Sequence, residues 1–385
     1  MPVAKLIWKN LLRHKLRTAL TVLGIAVAVL AFGLLRTVVS AWYAGVEASA
    51  QDRLITRHAV SFIFTLPYSY RDKIEVVPGV TKISFANWFG GIYIDQRQFF
   101  PRFAVDTETF FDVYPEFLLS RAELDAFKKD RNSCVIGKKI AERYSLKVGN
   151  IIPLTGDIYP GQWEFVIRAI YAGRDKSTDE TQMLFHWKNL DERIRQEMPG
   201  REGGVGWYIV SIDNPDHAAD VSDAIDGLFS NSRAETKTET ERAFQLSFVS
   251  MSSEILASME VLSYIIIGII LLVLANTMVM AERERTTEYA VLRTLGFSKG
   301  FLAAVIGGES LLIALIGGGI GIAVTFPIVR TIAHFVSNIF PVFNVELSTI
   351  IMAISSAVAA GSLAAAFPVH RAANSRIVDV LRQIE

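Results

Sequence analysis

The chain has 385 residues, 51% hydrophobic and 20% charged, with a mean hydropathy of +0.32. That excludes a disordered chain, which would be polar and strongly charged, and argues against an ordinary soluble protein in favour of lipid-facing surface. Lys and Arg number 39, as do Asp and Glu, so net charge carries no nucleic-acid signal. The neutrality hides an asymmetry: 44–258 hold 25 basic and 31 acidic residues, a net of −6, while the remainder is +6 and carries most of the apolar sequence. Cys134 is single, so no intrachain disulfide forms, and the six His show no zinc spacing.

Residues 1–17 carry Lys5, Lys9, Arg13, Lys15 and Arg17 and no acid. Val3, Ile7, Trp8, Leu11 and Leu12 share one face at helical spacing, with Lys5, Lys9, Arg13 and Arg17 largely on another. This predicts an amphipathic helix lying in the membrane interface. A bilayer core of about 30 Å needs about 20 apolar residues of helix. Four segments qualify as spans: 18–43, 261–281, 301–330 and 347–369. The first is read as a retained span, because its basic start and apolar stretch are long for a leader and the sequence just after it, Trp42-Tyr43-Ala44-Gly45, shows no convincing small-x-small cleavage site. Basic residues recur in 282–300 (Arg283, Arg285, Arg293, Lys299) and in the tail 370–385 (Arg371, Arg376, Arg382), whereas 331–346 contain none. By the positive-inside rule the N-terminus, 282–300 and the tail are cytoplasmic, and 44–260 and 331–346 lie outside.

Within the outside domain, 44–53 and 241–258 read as helical stalks continuing the first two spans. Strand patterns at 59–66, 80–86, 207–213 and 235–238, with helices at 68–77 and 215–229, form two β-α-β halves. These predict a ferredoxin-like subdomain split by an insertion at 87–200. The insertion is an α+β subdomain of its own, with strands at 133–137, 151–154 and 163–171 and a helix at 138–144.

In the segment 282–300, Tyr289, Leu292 and Leu295/Gly296 fall on one helical face with charges around them. Gly296 suits the left-handed position that ends a helix, and Ser298 can cap the next. A short helix with an exposed apolar stripe is a lever that a soluble partner could grip. Glu309 lies on the order of 12 Å into the third span, so its charge must be paired, protonated or wetted. Asn276 lies at comparable depth in the second span and is the candidate partner. The pair Gly317 and Gly321, and Ala357 with Gly361, allow close helix packing, within the chain or between copies.

Residues 276–312 read NTMVMAERERTTEYAVLRTLGFSKGFLAAVIGGESLL. They resemble the signature of the MacB/FtsX-like (type VII) ABC permease family through Glu284, Arg285, Glu288, Leu292, Arg293, Leu295, Gly296, Glu309 and Ser310. Tyr289 and Ala290 stand where Ile-Gly is usual, and Thr294 where Ala is usual. The tail FPVHRAANSRIVDVLR is similar to the family's ending, with Ile377 where Pro is common, and CVIGKKIAERYSLKVGN is similar to its periplasmic core domain. The resemblance implies a four-span permease subunit in the bacterial inner (cytoplasmic) membrane. Its coupling helix, at 282–300, would dock in a separate ATPase of the MacB/LolD-like kind, and force would pass through the spans to the outside domain.

No P-loop occurs in the sequence, so ATP and Mg are expected on the partner and no cofactor or metal on this chain. The expected assembly also contains membrane lipid and a second permease copy, most simply as a homodimer, with a periplasmic adaptor or outer-membrane partner as a further candidate. Cargo in the family includes antibiotics, peptides, lipids and lipoproteins. Two other readings stay open: an FtsX-like activator of cell-wall hydrolases, and a membrane-anchored receptor without an ATPase. The match of Gly296-Phe297-Ser298-Lys299-Gly300 to the hydrolase G-x-S-x-G pattern lacks the strand-turn-helix context that motif needs.

Overall fold

The computed structural model describes residues 2–374 except 96–97, 176, 251, 337–339 and 341, so Arg376, Ile377 and Arg382 lie outside the described residues. The chain divides into two compact units. One comprises Met1–Ala41, Ser252–Phe335 and Phe343–Glu385, the other Trp42–Met251 and Val336–Val342.

The first unit is helical. Helix Pro2–Arg13 turns at His14 into the long helix Lys15–Ala48. Helices Ser253–Glu284, Lys299–Val336 and Leu347–Asn374 complete a set of four, each with a stretch long and apolar enough to cross a membrane. We refer to these four as the first to fourth spans. Their outward faces expose Leu20, Leu23, Ile265, Ile269, Leu272, Ile351 and Leu363. Their inward faces bury Ile25, Val29, Phe32, Ile270, Leu274, Ile313, Ala314, Ala360 and Ala364. In lipid no hydrophobic force separates these faces, so close approach of small residues decides how the helices meet.

The glycines are used within the chain. A Cβ on Gly321 would fall 2.6 Å from the Ala26 carbonyl oxygen, and one on Gly317 2.8 Å from Ile25 Cβ, so the third span presses its backbone onto the first. A Cβ on Gly361 would fall 3.0 Å from Ala314 Cβ, and Ala357 packs where Gly318 leaves room, so the fourth span closes on the third.

The second unit is built on one large sheet with helices on both faces, beside a two-stranded pair of Leu66–Pro67 with Gly204–Val205. Strands Thr236–Thr240, Arg53–His58, Trp207–Ile212 and Val80–Trp88 lie side by side in that order, all antiparallel. In chain order this is 4-1-3-2, the ferredoxin-like arrangement, with helices Tyr70–Glu75 and Ala218–Phe229 as its crossovers. The inserted strands make no sheet of their own. Arg102–Val105 pairs with the open edge of Val80–Trp88, and Met183–His186, Ser133–Gly137, Gly161–Gly173 and Ile151–Gly156 continue outward from it. Extending an unpaired edge satisfies its backbone groups and removes an aggregation hazard.

Two elements depart from the sequence reading. The first strand is Arg53–His58, not 59–66, and helix Lys15–Ala48 ends before it. Leu54, Ile55 and Thr56 are all buried, because Leu54 joins the core on one sheet face and Ile55 packs with Phe244 on the other. A strand covered on both faces loses its alternation. The apolar run that imitated a strand, Val60 to Phe64, is an exposed loop. Likewise 241–258 is not one stalk: helix Glu241–Ser250 lies against the sheet through Phe244 and is distinct from the second span.

Arg53 and Glu241, where the chain enters and leaves the sheet, are both buried. Arg53 Nε donates to Glu241 Oε2 at 2.9 Å, Nη2 to Glu116 Oε1 at 2.7 Å and Nη1 to the Val113 carbonyl at 2.9 Å. The guanidinium also lies 4.0 Å over the Tyr114 ring, whose hydroxyl donates to Glu241 Oε1 at 3.2 Å. One charge cluster therefore joins both chain crossings to the insertion.

Replacing Gly321 by Leu should lower the melting temperature of the purified chain in detergent, by a cost of about 1–3 kcal/mol for overpacking. Gly319, with nothing near its Cβ position, is the control, and Gly319→Leu should melt like the parent. Equal melting of the two variants would overturn the packing assignment.

Candidate functional site: the segment between the second and third spans

The second span ends at Glu284, and the short helix Thr286–Thr294 follows at once. It closes on Gly296, at φ +91°, with the Gly296 N–H on the Arg293 carbonyl at 3.1 Å and the Phe297 N–H on the Leu292 carbonyl at 3.1 Å. These two bonds make the Schellman closure, and only a residue without a Cβ adopts that φ at no cost. Ser298 Oγ then accepts the Phe301 N–H at 3.2 Å and starts the third span. The setting of the G-x-S-x-G match is thus helix, turn, helix.

Four polar contacts hold the short helix. Arg285 and Glu309 are both buried, and Arg285 Nη1 donates to Glu309 Oε2 at 2.6 Å. Arg285 Nη2 donates to the Asn10 carbonyl at 3.2 Å, seating the N-terminal helix on the same guanidinium. Burial opposes the Arg285 charge, but the Glu309 carboxylate, with the Tyr289 hydroxyl beside it, offsets that and the guanidinium is held charged. On the outer side Arg17 Nη1 donates to Glu284 Oε2 at 2.6 Å, and Arg13 pairs with Glu288. Two arginines four residues apart thus face two glutamates four residues apart. A further acid, Glu282, is buried 3.8 Å from Arg371.

The apolar face divides differently from the sequence expectation. Tyr289 and Ala290 are buried, and Tyr289 packs with Leu302 and Ile306 of the third span, with Leu292 and Val369 beside them. Burial pushes the Tyr289 hydroxyl up from its usual range, so it stays neutral. The exposed apolar face is Val291, 46% exposed, Leu295, 70% exposed, and Phe297. The inward face is an anchor, and the lip is one residue out of phase with it.

Asn276 is exposed on the second span and does not meet Glu309, whose partner is Arg285. Burying a carboxylate this deep needs a full opposite charge, which an amide cannot supply. Ser310 Oγ donates to the Gly361 carbonyl at 2.7 Å, joining the third span to the fourth. Glu284, Arg285, Glu288, Tyr289, Leu292, Arg293, Leu295 and Gly296 all lie on or beside the one short helix. The sequence reading places Arg13 and Arg17 on the polar face of an interfacial helix and misses their pairing roles. Their i, i+4 spacing against Glu284 and Glu288 was the available signal. Among the described residues no group of three or more His, Cys, Asp or Glu could hold a metal ion.

Arg285→Met should leave Glu309 buried without its cation and cost about 3–5 kcal/mol, read as a lower melting temperature in detergent. The double variant Arg285→Met, Glu309→Leu should recover most of the loss. Parent-like melting of the single variant would show that Glu309 is not held by Arg285.

Residues 18–228 match the MacB-like periplasmic core domain and 260–377 the FtsX-like permease C-terminal domain. An uncharacterised ABC transporter permease of Methanocaldococcus jannaschii is 21% identical over 404 aligned positions, covering 97% of this chain and 96% of the relative. The extracellular domain of the noncanonical ABC-type transporter YknZ from Gram-positive bacteria aligns over 49% of this chain and 100% of its own, at 11% identity and a TM-score of 0.35. A permease domain from Porphyromonas gingivalis aligns over 50% of this chain and 92% of its own, at 13% identity and a TM-score of 0.35.

Proposed function

The chain belongs to the MacB/FtsX-like family of ABC transporter permeases, and from that premise we propose that it works by mechanotransmission through the short helix Thr286–Thr294. As a permease it is the membrane subunit of an assembly whose ATPase is another chain, and ATP with Mg is bound there. The exposed lip of Val291, Leu295 and Phe297 is the docking surface for that ATPase, and it is the observation that carries the reading. An apolar lip on a helix held by buried and ion-paired contacts can transmit a push without yielding.

The path of the push follows the contacts. Through Arg285 it reaches Glu309 and the third span, and through Arg13, Arg17 and the Asn10 carbonyl it reaches the N-terminal helix and the first span. The first span is a single helix, Lys15–Ala48, and would carry the motion on toward the extracellular domain. Lys and Arg placement supports a cytoplasmic short helix in the cytoplasmic membrane with both chain ends on its side. Two permease copies with two ATPases would form the working unit, and the extracellular domains would expel or release a cargo, an antibiotic, peptide, lipid or lipoprotein.

The double substitution Val291→Asp, Leu295→Asp should abolish co-purification of the ATPase while leaving expression and melting temperature near the parent values. The inward substitution Tyr289→Asp should instead lower the melting temperature. Retention of the ATPase by the lip variant would overturn the docking assignment.

A further inference from the structure

Two strands of the extracellular domain, Arg102–Val105 and Met183–His186, run parallel and end side by side at Val105 and His186. The chain leaves one end through the turn 106–109 and the other through helix Trp187–Glu197. Diverging exits from parallel strands open a crevice at their carboxyl ends. Here the crevice is a cavity of about 200 Å³ lined by Tyr68, Arg71, Phe85, Asp106, Trp187 and Lys188 among others. It is smaller than the roughly 300–1,000 Å³ of drug-sized sites and much larger than one water, a size for a single small group.

Its walls are of two kinds. Tyr68 stacks on Trp187 with centroids 5.2 Å apart, and Phe85 meets both rings edge-on. The acids of the cavity are already engaged. Asp106 accepts the Thr109 hydroxyl at 2.8 Å and the Glu108 N–H at 3.3 Å, and it faces Arg71 at 3.6 Å. Glu108 pairs with Lys128 at 3.2 Å. The cations are engaged only in part: Arg71 Nη1 donates to the Tyr68 hydroxyl at 3.5 Å and faces Asp106. Arg71 Nε is buried without a hydrogen-bond partner, and Lys188 has no ion pair or hydrogen bond among the described residues. Lys188 stands in the first turn of helix Trp187–Glu197, which contains no acid there and receives no side-chain cap from His186. Burial lowers the His186 pKa, so that ring adds no charge. The unmet donors therefore all favour an anion, beside an aromatic wall.

We propose that this cavity binds the free carboxylate of a small aromatic or apolar acid, Arg71 and Lys188 taking the carboxylate and Tyr68 and Trp187 the apolar part. The source is either a free acid or the terminal residue of a peptide, since both present the same group. The site is independent of the docking lip, and failure of the lip variants would leave it standing.

The test uses the full-length chain in detergent, titrated by calorimetry with N-acetyl-phenylalanine and with N-acetyl-phenylalaninamide, which lacks only the charge. The acid should bind saturably and at least about tenfold more tightly than the amide, as charge-assisted hydrogen bonds demand. Arg71→Gln and Lys188→Gln should each weaken the acid by about tenfold without moving the amide, and their melting temperatures verify folding. A tetrapeptide of three alanines ending in phenylalanine then separates the sources: binding as tight as the acid points to peptide ends, and weaker binding to free acids. Equal affinity of acid and amide, no saturable binding of either, or folded variants that bind like the parent would overturn the proposal.

Discussion

A carboxylate buried in the third span cannot remain charged without a cation, and the cation that reaches Glu309 is Arg285. Arg285 stands at the joint between the second span and the short helix, so its engagement sets the rotation of that helix. With Arg285 turned inward, Tyr289 and Ala290 follow onto the third span, and Val291 and Leu295 turn out. The same guanidinium holds the Asn10 carbonyl, so the N-terminal helix takes its seat from the pair as well. The apolar surface left exposed is thus a consequence of one ion pair beneath it.

The extracellular domain repeats this economy of charge at Arg53. There a guanidinium gathers Glu241, Glu116 and the Val113 carbonyl, and the chain enters and leaves the sheet at one buried point. Close glycine contacts serve the spans as ion pairs serve their ends. Gly317 and Gly321 admit the first span, and Gly361 admits the third, because lipid supplies no hydrophobic force to press helices together. The insertion adds strands to an existing edge instead of building a second core, and the parallel pairing of Met183–His186 with Arg102–Val105 creates the crevice at the domain's surface.

Much of this was legible in the residues. Ser133–Gly137 and Lys138–Tyr144 fall where apolar run and helical spacing put them, and the two β-α-β halves do assemble in ferredoxin-like order. The Gly296 closure was legible because it is local: a left-handed residue and a capping serine need no distant partner. The strand Arg53–His58 was not, because cover on both faces erased its alternation, while the exposed Val60–Phe64 run imitated it. The partner of Glu309 was not legible either. Depth along a span suggested Asn276, but a helix of 3.6 residues per turn turns equal depth to opposite faces.

The sequence by itself determined the class of the protein: four apolar spans, an α+β domain between the first two, and a short motif-bearing helix between the second and third. Those features depend on length, periodicity and local turn chemistry, which a single chain segment contains in full. Only the tertiary structure decided which face of the short helix is anchor and which is lip, that Arg13 and Arg17 answer Glu288 and Glu284, that the glycine pairs close within one chain, and that Arg71 and Lys188 share a cavity. Each of these is a meeting of residues far apart in the chain. Such meetings are set by packing and charge compensation across elements, which no local pattern encodes.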